Sequence, residues 1–333
     1  MSTTAPATAG QRNRWLTTSA WRALFRDRPL IPLLALLVLL VILYELVRPG
    51  VVGPGWAATI VRTAVPLAIL AGCQTLTMLT GGIDLSVGAV ASMTGFVVAT
   101  LVGPLGLPAA MLVALLAAAA AGLVTGIGVG VFRVHPLIMT LGMALVVLGL
   151  ANVWQLQMVQ TGSGVPTELR FLGAGLFERV VPHNLIVFVP LALLILVGLR
   201  RTGYGRLLYA VGDNPVAARL AGVRSWQVLI ALYIISALLA GIAGFLLSGA
   251  TNTASVTLAD SLVLPSVAAA VIGGTSIMGG RGGYGGTIAG ALILTVAVAL
   301  LQSLGFREAD RLILFGSIIV LVAAAYARVT SDS

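Results

Sequence analysis

Residues 108–131 read PAAMLVALLAAAAAGLVTGIGVGV, a run of 24 residues without a charge. A helix needs roughly 20 apolar residues to cross the hydrocarbon core of a bilayer, so this run is long enough. The whole chain has the same character: 59% of its 333 residues are hydrophobic, 9% are charged, and the mean hydropathy is +1.08. Because soluble domains carry about 25% charged residues, this composition excludes a water-soluble fold and predicts a multi-pass membrane protein.

Similar apolar runs recur along the chain. We predict an all-α transmembrane bundle of about ten spans. The predicted spans are 30–47, 57–79, 85–103, 108–131, 137–158, 184–199, 226–248, 262–279, 287–304 and 309–327. Residues 1–29 form an arginine-rich arm ahead of the first span, and residues 30–329 form a single transmembrane domain.

The distribution of arginine predicts the orientation of the bundle. All 19 basic residues are arginines. With the amino terminus inside, the cytoplasmic segments hold 13 arginines and the opposite side holds 6, the bias that places both termini in the cytoplasm. Arginines scattered in this way set topology and do not indicate nucleic-acid binding. Without lysine there is no GxxxxGK[ST] phosphate loop, so any ATP hydrolysis requires another chain.

Residues 200–225 form the long polar interruption on the cytoplasmic side. They contain Arg200, Arg201, Arg206, Arg219 and Arg224. Within this loop the sequence predicts a very short helix, because Asn214 can cap its first amides, Pro215 suits its first position and Gly222 suits the residue after its end. A helix this short is not stable alone in water, so we expect another protein to hold the loop from the cytoplasm.

The longest external segment, residues 159–183, mixes charged, proline and aromatic residues. It predicts a short helix at the outer membrane surface or a docking surface for an extracellular partner, and the two are compatible. Elsewhere, Gly122, Gly126 and Gly130 are spaced four residues apart, which is typical of closely packed membrane helices.

Two glycine clusters are denser than helix packing requires. The first is TGGIDLSVG, which holds Asp84, and the second is GGTSIMGGRGGYGG at 273–286, which holds eight glycines and Arg281. Both are predicted near the cytoplasmic surface. We expect Asp84 to be the N-cap of the following helix, although a carboxylate within the membrane would instead indicate a proton or ion relay.

Polar residues within the predicted spans are few and mostly uncharged, which favours transport of a neutral polar solute over an ion-coupled mechanism. Gln74, Thr75, Asn152, Gln155 and Asn252 are candidates for the solute pathway, and Thr77 and Ser236 belong to the same group; each has the alternative role of an interhelical hydrogen bond. His135 and His183 have no second ligand at metal-binding spacing, so we expect no metal site, no catalytic residue and no bound cofactor.

Three blocks of this sequence together resemble a known family. They are LTGGIDLSVGAV at 79–90, TGYGRLLYAVGDNPVAARLAGV at 202–223 and LPSVAAAVIGGTSIMGGRGGYGGTIAGALIL at 264–294. The chain is similar to permease subunits of bacterial ABC sugar importers of the ribose/xylose/arabinose class, in the branched-chain amino acid and monosaccharide permease superfamily. The resemblance covers roughly residues 30–330, leaving the arm outside it.

The resemblance implies a permease in the bacterial plasma (inner) membrane that forms the pathway for a monosaccharide such as ribose or xylose. Its implied partners are a second permease subunit, identical or similar, a cytoplasmic ABC ATPase that binds ATP and grips loop 200–225, and an extracellular or periplasmic sugar-binding protein. The residues expected to couple to the ATPase are Gly212, Asp213, Asn214, Pro215, Ala217, Ala218, Arg219 and Gly222. The signature positions are Gly81, Gly82, Asp84, Ser86, Gly273, Gly274, Gly279, Gly280 and Arg281.

Two other functions stay open at this point. An ion-coupled secondary transporter of a small neutral solute would also use glycine-broken helices. A membrane scaffold that moves no solute is the third possibility.

Overall fold

The computed structural model describes residues 30–158, 164–178, 180–307, 309–310, 313 and 316–317. The predicted arm 1–29 lies outside the described residues, and so does most of the predicted span 309–327. We number the helices and strands of the described part in chain order.

The first half of the chain consists of long helices: α1 (Leu30–Val47), α2 (Pro54–Leu79), α3 (Val87–Leu105), α4 (Leu107–Gly130) and α5 (Pro136–Met158). The middle forms shorter elements: α6 (Thr167–Ala174), β1 (Leu176–Phe177), β2 (Val181–Pro182), α7 (Leu185–Arg201), α8 (Gly203–Asp213) and α9 (Pro215–Leu220). The last described part forms α10 (Ser225–Thr251), a 3-10 turn (Asp260–Leu262), α11 (Val263–Ile272) and α12 (Tyr284–Ser303).

Seven helices of the described part, α1 to α5, α10 and α12, are long and apolar enough to cross a membrane. The pair α7 and α8 would be an eighth span, although the two helices are bent by 68° relative to each other. The protein is therefore a multi-pass helical membrane protein, but the predicted number of about ten spans is not confirmed.

The segment predicted to span at 262–279 differs from expectation. Its helix α11 has only ten residues and ends at Ile272. The chain cannot continue as a helix because Gly274 has a φ of +88°, outside the right-handed region. The glycine cluster thus shortens this helix instead of following a complete span.

Helix α10 lies at the centre of the bundle and packs against α2, α3, α4 and α6. Helix α4 approaches it through its glycines: a Cβ on Gly126 would lie 2.7 Å from the Cα of Ile230, and one on Gly130 would lie 2.9 Å from the carbonyl oxygen of Trp226. The predicted close packing at these glycines is confirmed, since only glycine lets the two backbones approach this closely.

Helix α1 lies at the edge of the bundle and has no buried residue. It packs against α12, and the Arg48 side chain that follows it donates a hydrogen bond of 3.0 Å to the carbonyl oxygen of Ser303. An apolar helix exposed on this scale is suited to contact with lipid.

Residues 159–183, which we predict to be external, contain the predicted short helix, α6, which packs against α10. A two-residue antiparallel pair, β1 and β2, follows it and is a small exception to the predicted all-α fold. The ring of His183 lies between Phe171 and Phe177, with centroid distances of 4.1 and 4.0 Å. Its Nδ1 is 2.9 Å from the carbonyl oxygen of Phe171, so this histidine has a structural role.

Candidate functional site

Loop 200–225 begins where α7 ends. The chain turns at Thr202, whose hydroxyl oxygen accepts a hydrogen bond of 3.1 Å from the amide of Gly205 and caps α8. Helix α8 then runs to Asp213 and directly precedes α9. The polar loop is therefore two short helices rather than an irregular connection.

The start and end of α9 match the prediction. The Asn214 side chain accepts hydrogen bonds from the amides of Val216 and Ala217, at 3.0 and 2.9 Å. Pro215 occupies the first turn, and Gly222 has a φ of +85°. These three predicted roles are confirmed.

The outer face of α9 is apolar. Val216 is 56% exposed and Leu220 is 86% exposed, while Ala218 on the other side of the helix is buried. Residues four apart lie on the same helical face, so Val216 and Leu220 form one exposed apolar patch, the α9 patch. This patch was not predicted from the sequence, although the i,i+4 spacing of Val216 and Leu220 was a usable signal.

Helix α8 touches the bundle through Gly212. A Cβ at Gly212 would overlap the carbonyl oxygen of Leu79, the last residue of α2, and would lie 2.8 Å from the amide nitrogen of Gly280. That same amide donates a hydrogen bond of 3.0 Å to the Leu79 oxygen. Three chain segments therefore meet through their main chains at this point.

Three more glycines, Gly81, Gly279 and Gly280, complete this contact. A Cβ at Gly279, whose φ is +93°, would lie 2.7 Å from the Gly212 oxygen and 3.1 Å from the Gly81 nitrogen. One at Gly280 would lie 2.9 Å from the Cα of Asp213. We call Gly81, Gly212, Gly279 and Gly280 the glycine junction. The backbones are close-packed at this junction and have little room to shift relative to one another.

The remaining signature residues lie around the junction. A Cβ at Gly82 would lie 3.0 Å from the Tyr233 hydroxyl and 3.1 Å from Cβ of Pro136. Gly273 faces the backbone of α12 at Gly286, whereas Gly274 has open space around it. Arg281 is exposed.

The predicted role of Asp84 as an N-cap is wrong. Ser86 is the N-cap of α3 and makes no capping hydrogen bond with its side chain. Asp84 is instead 2% exposed. Its carboxylate accepts hydrogen bonds from the Ser86 amide and hydroxyl, at 3.0 and 2.6 Å, and from the Ser236 hydroxyl, at 2.9 Å.

This carboxylate links the turn between α2 and α3 to the central helix α10. Burial raises the pKa of the Asp84 carboxyl, and the hydrogen bonds from Ser86 and Ser236 lower it in part. The hydroxyl of Tyr233 is buried in the same region without a hydrogen-bond partner among the described residues.

Two further side chains hold the same turn. Gln74 donates a hydrogen bond of 2.7 Å to the carbonyl oxygen of Asp84 and accepts one of 3.2 Å from its amide. Thr140 on α5 donates to the Ile83 oxygen and accepts from the Leu85 amide, both at 3.1 Å. The turn is thereby fixed to α2, α5 and α10 together.

The pathway candidates do not converge on one cavity. Gln74 and Thr75 are buried, and the Thr75 hydroxyl is 2.6 Å from that of Thr287. Asn152 is exposed and donates to Leu148 of its own helix. Gln155 is exposed on α5, and Asn252, with a φ of +52°, ends α10.

A cavity of about 280 Å³ lies between α2, the 3-10 turn and α12. We call it the α2–α12 cavity. It lies away from the glycine junction, because it contacts α2 near Thr63 and α12 near Thr295, whereas the junction contacts the carboxyl end of α2. Its polar lining residues carry hydroxyls and one amide: Thr59, Thr63, Ser261, Thr295 and Gln302. These residues were not predicted from the sequence, in which the spacing of Thr59 and Thr63 by four residues was the available signal.

A family model described as "Branched-chain amino acid transport system / permease component" matches residues 56–323. The chain belongs to this family. The permease is 35% identical to the fructose import permease protein of Rhizobium meliloti over 272 residues, covering 80% of this chain and 76% of that protein.

Ribose import permease proteins are also similar to this permease. The one from Escherichia coli strain K12 is 35% identical over 263 residues, covering 76% of this chain and 80% of that protein. The one from Bacillus subtilis strain 168 is 31% identical over 282 residues, covering 84% of this chain and 87% of that protein. These relatives confirm the predicted resemblance to sugar importer permeases. No solved structure matches the permease.

Proposed function

We propose that this chain is the transmembrane subunit of an ATP-driven importer and forms the translocation pathway for a monosaccharide such as ribose or xylose. The observation that carries the proposal is the glycine junction. It connects a loop with an exposed apolar patch to the carboxyl end of α2 and to the turn before α12, so a force applied to the loop reaches α2 and α12, which both line the α2–α12 cavity.

The proposed ATPase is a separate cytoplasmic chain that binds ATP and contacts the α9 patch. The Asn214 cap and Pro215 keep α9 formed, and Gly212 and Asp213 connect it to the junction. For transport, the ATPase must bind the outward-open and inward-open states with different affinity, since equal affinity shifts no equilibrium. A second permease subunit and an extracellular sugar-binding protein complete the proposed assembly.

We place this assembly in the bacterial inner membrane with both termini of the permease in the cytoplasm. The hydroxyl and amide groups of the α2–α12 cavity suit a neutral polyhydroxylated solute, because such groups donate and accept hydrogen bonds without a net charge. The cavity is exposed at Thr59, Thr63, Ser261 and Gln302, and we expect the second subunit to cover this side and complete the pathway.

An ion-coupled secondary transporter is favoured by one observation, the buried carboxylate of Asp84. Both of its oxygens, however, accept hydrogen bonds from Ser86 or Ser236, and these fixed bonds favour a structural link over an ion relay.

The decisive test is uptake into proteoliposomes that contain the permease with its ATPase and binding protein. We expect sugar uptake that requires ATP and continues when an ionophore removes ion gradients. Uptake that stops with the ionophore and proceeds without the ATPase would establish the secondary transporter instead. Absence of uptake under both conditions, with all components folded, would favour a scaffold.

A further inference from the structure

A second cavity, of about 300 Å³, lies beside loop 200–225, between the end of α4, the start of α5, α9 and the start of α10. Three arginines from three different segments line it: Arg133 from the turn between α4 and α5, Arg219 from α9 and Arg224 from just before α10. We call it the arginine cavity.

Among the described residues, no acidic side chain balances the positive charge of this cavity. The lining includes no acidic residue, and no carboxylate of the described part pairs with any of the three guanidiniums. Guanidinium groups bind phosphate through paired N–H donors, so this cavity suits a phosphate group.

A buried hydroxyl in the cavity lining also indicates a phosphate ligand. Ser225 lines the arginine cavity, and its oxygen is buried without a hydrogen-bond partner among the described residues. A buried hydroxyl without a partner is costly, and an anion in the cavity would accept a hydrogen bond from it.

The surroundings of the cavity indicate what carries the phosphate. Trp226 both lines the cavity and is 46% exposed. Phe132, next to Arg133, is 74% exposed, and Ile138 at the start of α5 is 64% exposed. Tryptophan is enriched at membrane–water interfaces, and exposed apolar residues at the ends of membrane helices contact acyl chains.

We propose that the arginine cavity binds the headgroup of an anionic phospholipid, with the phosphate held by the three arginines and Ser225 and the acyl chains against the exposed apolar residues. Basic pockets between helices on the cytoplasmic side are suited to such headgroups. An acidic surface of a partner protein fits less well, because the exposed patch of α9 that faces away from the bundle is apolar.

The binding site has a consequence for the coupling loop. The headgroup joins Arg219 on α9 to Arg133 and Arg224 on the bundle, and so it stabilises one position of α9. This consequence rests on the proposed function, whereas the binding itself does not.

The test measures lipid binding and not transport. The purified full-length permease in detergent is titrated with fluorescent phosphatidylglycerol and, separately, with fluorescent phosphatidylcholine. We expect saturable binding of phosphatidylglycerol only, and a roughly hundredfold loss in the triple variant Arg133→Gln, Arg219→Gln, Arg224→Gln.

The matched control is Arg200→Gln, Arg201→Gln, Arg206→Gln, which removes the same charge from the same loop without touching the cavity lining. We expect it to keep binding within about threefold, because charge outside the site acts only at long range. Equal losses in both triple variants, or equal binding of the two lipids, would overturn the proposal.

Two further measurements remove ambiguities. If the triple variant does not fold, the single variant Ser225→Ala keeps every charge and should still weaken binding several-fold; unchanged affinity would contradict the site. Adding excess inorganic phosphate distinguishes a site for a lipid headgroup from a site for free phosphate. We expect phosphate to compete only weakly with the lipid. Full displacement of the lipid by phosphate would show that the site binds free phosphate instead.

Discussion

The amide nitrogen of Gly280 lies 3.0 Å from the carbonyl oxygen of Leu79, to which it donates a hydrogen bond. This single bond joins the end of α2 to the turn before α12, and Gly212 of loop 200–225 packs against both of its atoms. In the proposed mechanism, transmission from the loop to the bundle therefore depends on this main-chain contact.

Gly212→Ala should destabilise the junction, because its Cβ would overlap the Leu79 oxygen. Overpacking of this kind costs about 1–3 kcal/mol. The measurement is thermal unfolding in detergent together with sugar uptake, and both should fall. Gly203→Ala in the same helix is the control, because the nearest atom to its Cβ is a side-chain nitrogen of Arg206 at 3.9 Å. Equal behaviour of the two variants would contradict a junction role.

Replacing Asn214 and Pro215 together by alanine should uncouple ATP hydrolysis from uptake while the bundle stays folded. Loss of an N-cap costs about 1 kcal/mol of helix stability, and a helix of six residues has little stability to lose. The ratio of sugar moved to ATP hydrolysed is the measurement. Asn214→Asp keeps the cap and should keep the ratio; a normal ratio in the double variant would refute the assignment of this loop.

Val216→Ser and Leu220→Ser together should weaken binding of the ATPase at least tenfold without lowering the thermal stability of the permease. Both side chains are exposed, so they contribute little to its own core, whereas apolar residues at the centre of an interface dominate its energy. Co-purification and titration with the ATPase measure the effect. Leu156→Ser, which changes a residue 79% exposed on α5, should leave ATPase binding unchanged.

Asp84→Asn should fold and transport, while Asp84→Ala should lose roughly 1–3 kcal/mol of stability, because Ser86 and Ser236 are left without their acceptor. An asparagine oxygen can accept from Ser86, and its amide can donate to the Ser236 oxygen.

The effect of pH on Asp84 follows from its raised pKa. A raised folded-state pKa means that the folded chain holds the Asp84 proton more tightly than the unfolded chain does, so the wild type loses stability relative to Asp84→Asn as the pH rises from the ordinary pKa through the raised one. Unfolding midpoints across pH check this. Loss of uptake in a stable Asp84→Asn variant would instead support an ion-coupled mechanism.

Gln302→Leu and Thr63→Val should each lower sugar uptake at least severalfold, because they remove hydrogen-bonding groups from the α2–α12 cavity. Asn152→Leu should change it little, since Asn152 bonds only to its own helix among the described residues. Initial uptake rates at saturating ATP are the measurement. A larger loss of uptake in Asn152→Leu than in Gln302→Leu and Thr63→Val would favour the pathway residues predicted from the sequence over the α2–α12 cavity.

Local features of the chain were predictable because they depend on neighbouring residues. The cap by Asn214, the close packing at Gly126 and the short helix α6 all follow from patterns within a few residues. The role of Asp84 was mispredicted because an Asp before a helix usually caps it, and nothing nearby in the sequence indicates that Ser236, 152 positions later, donates to its carboxylate.

The meeting of the three sequence blocks 79–90, 202–223 and 264–294 was not predictable for the same reason. Each block shows that a tight turn or close contact exists, but the sequence does not say which backbone fills the space. Leu79, Gly212 and Gly280 come together only through the packing of α2, α8 and the turn before α12.

The glycine junction is built from main-chain atoms, so it offers no side chain whose exchange could adjust it. In the proposed importer, variation in the choice of ATPase would therefore act elsewhere, and the two apolar residues of the α9 patch are free to change without disturbing the backbone contact beneath them. One permease body could in this way be matched to different ATPases by altering its outer surface alone.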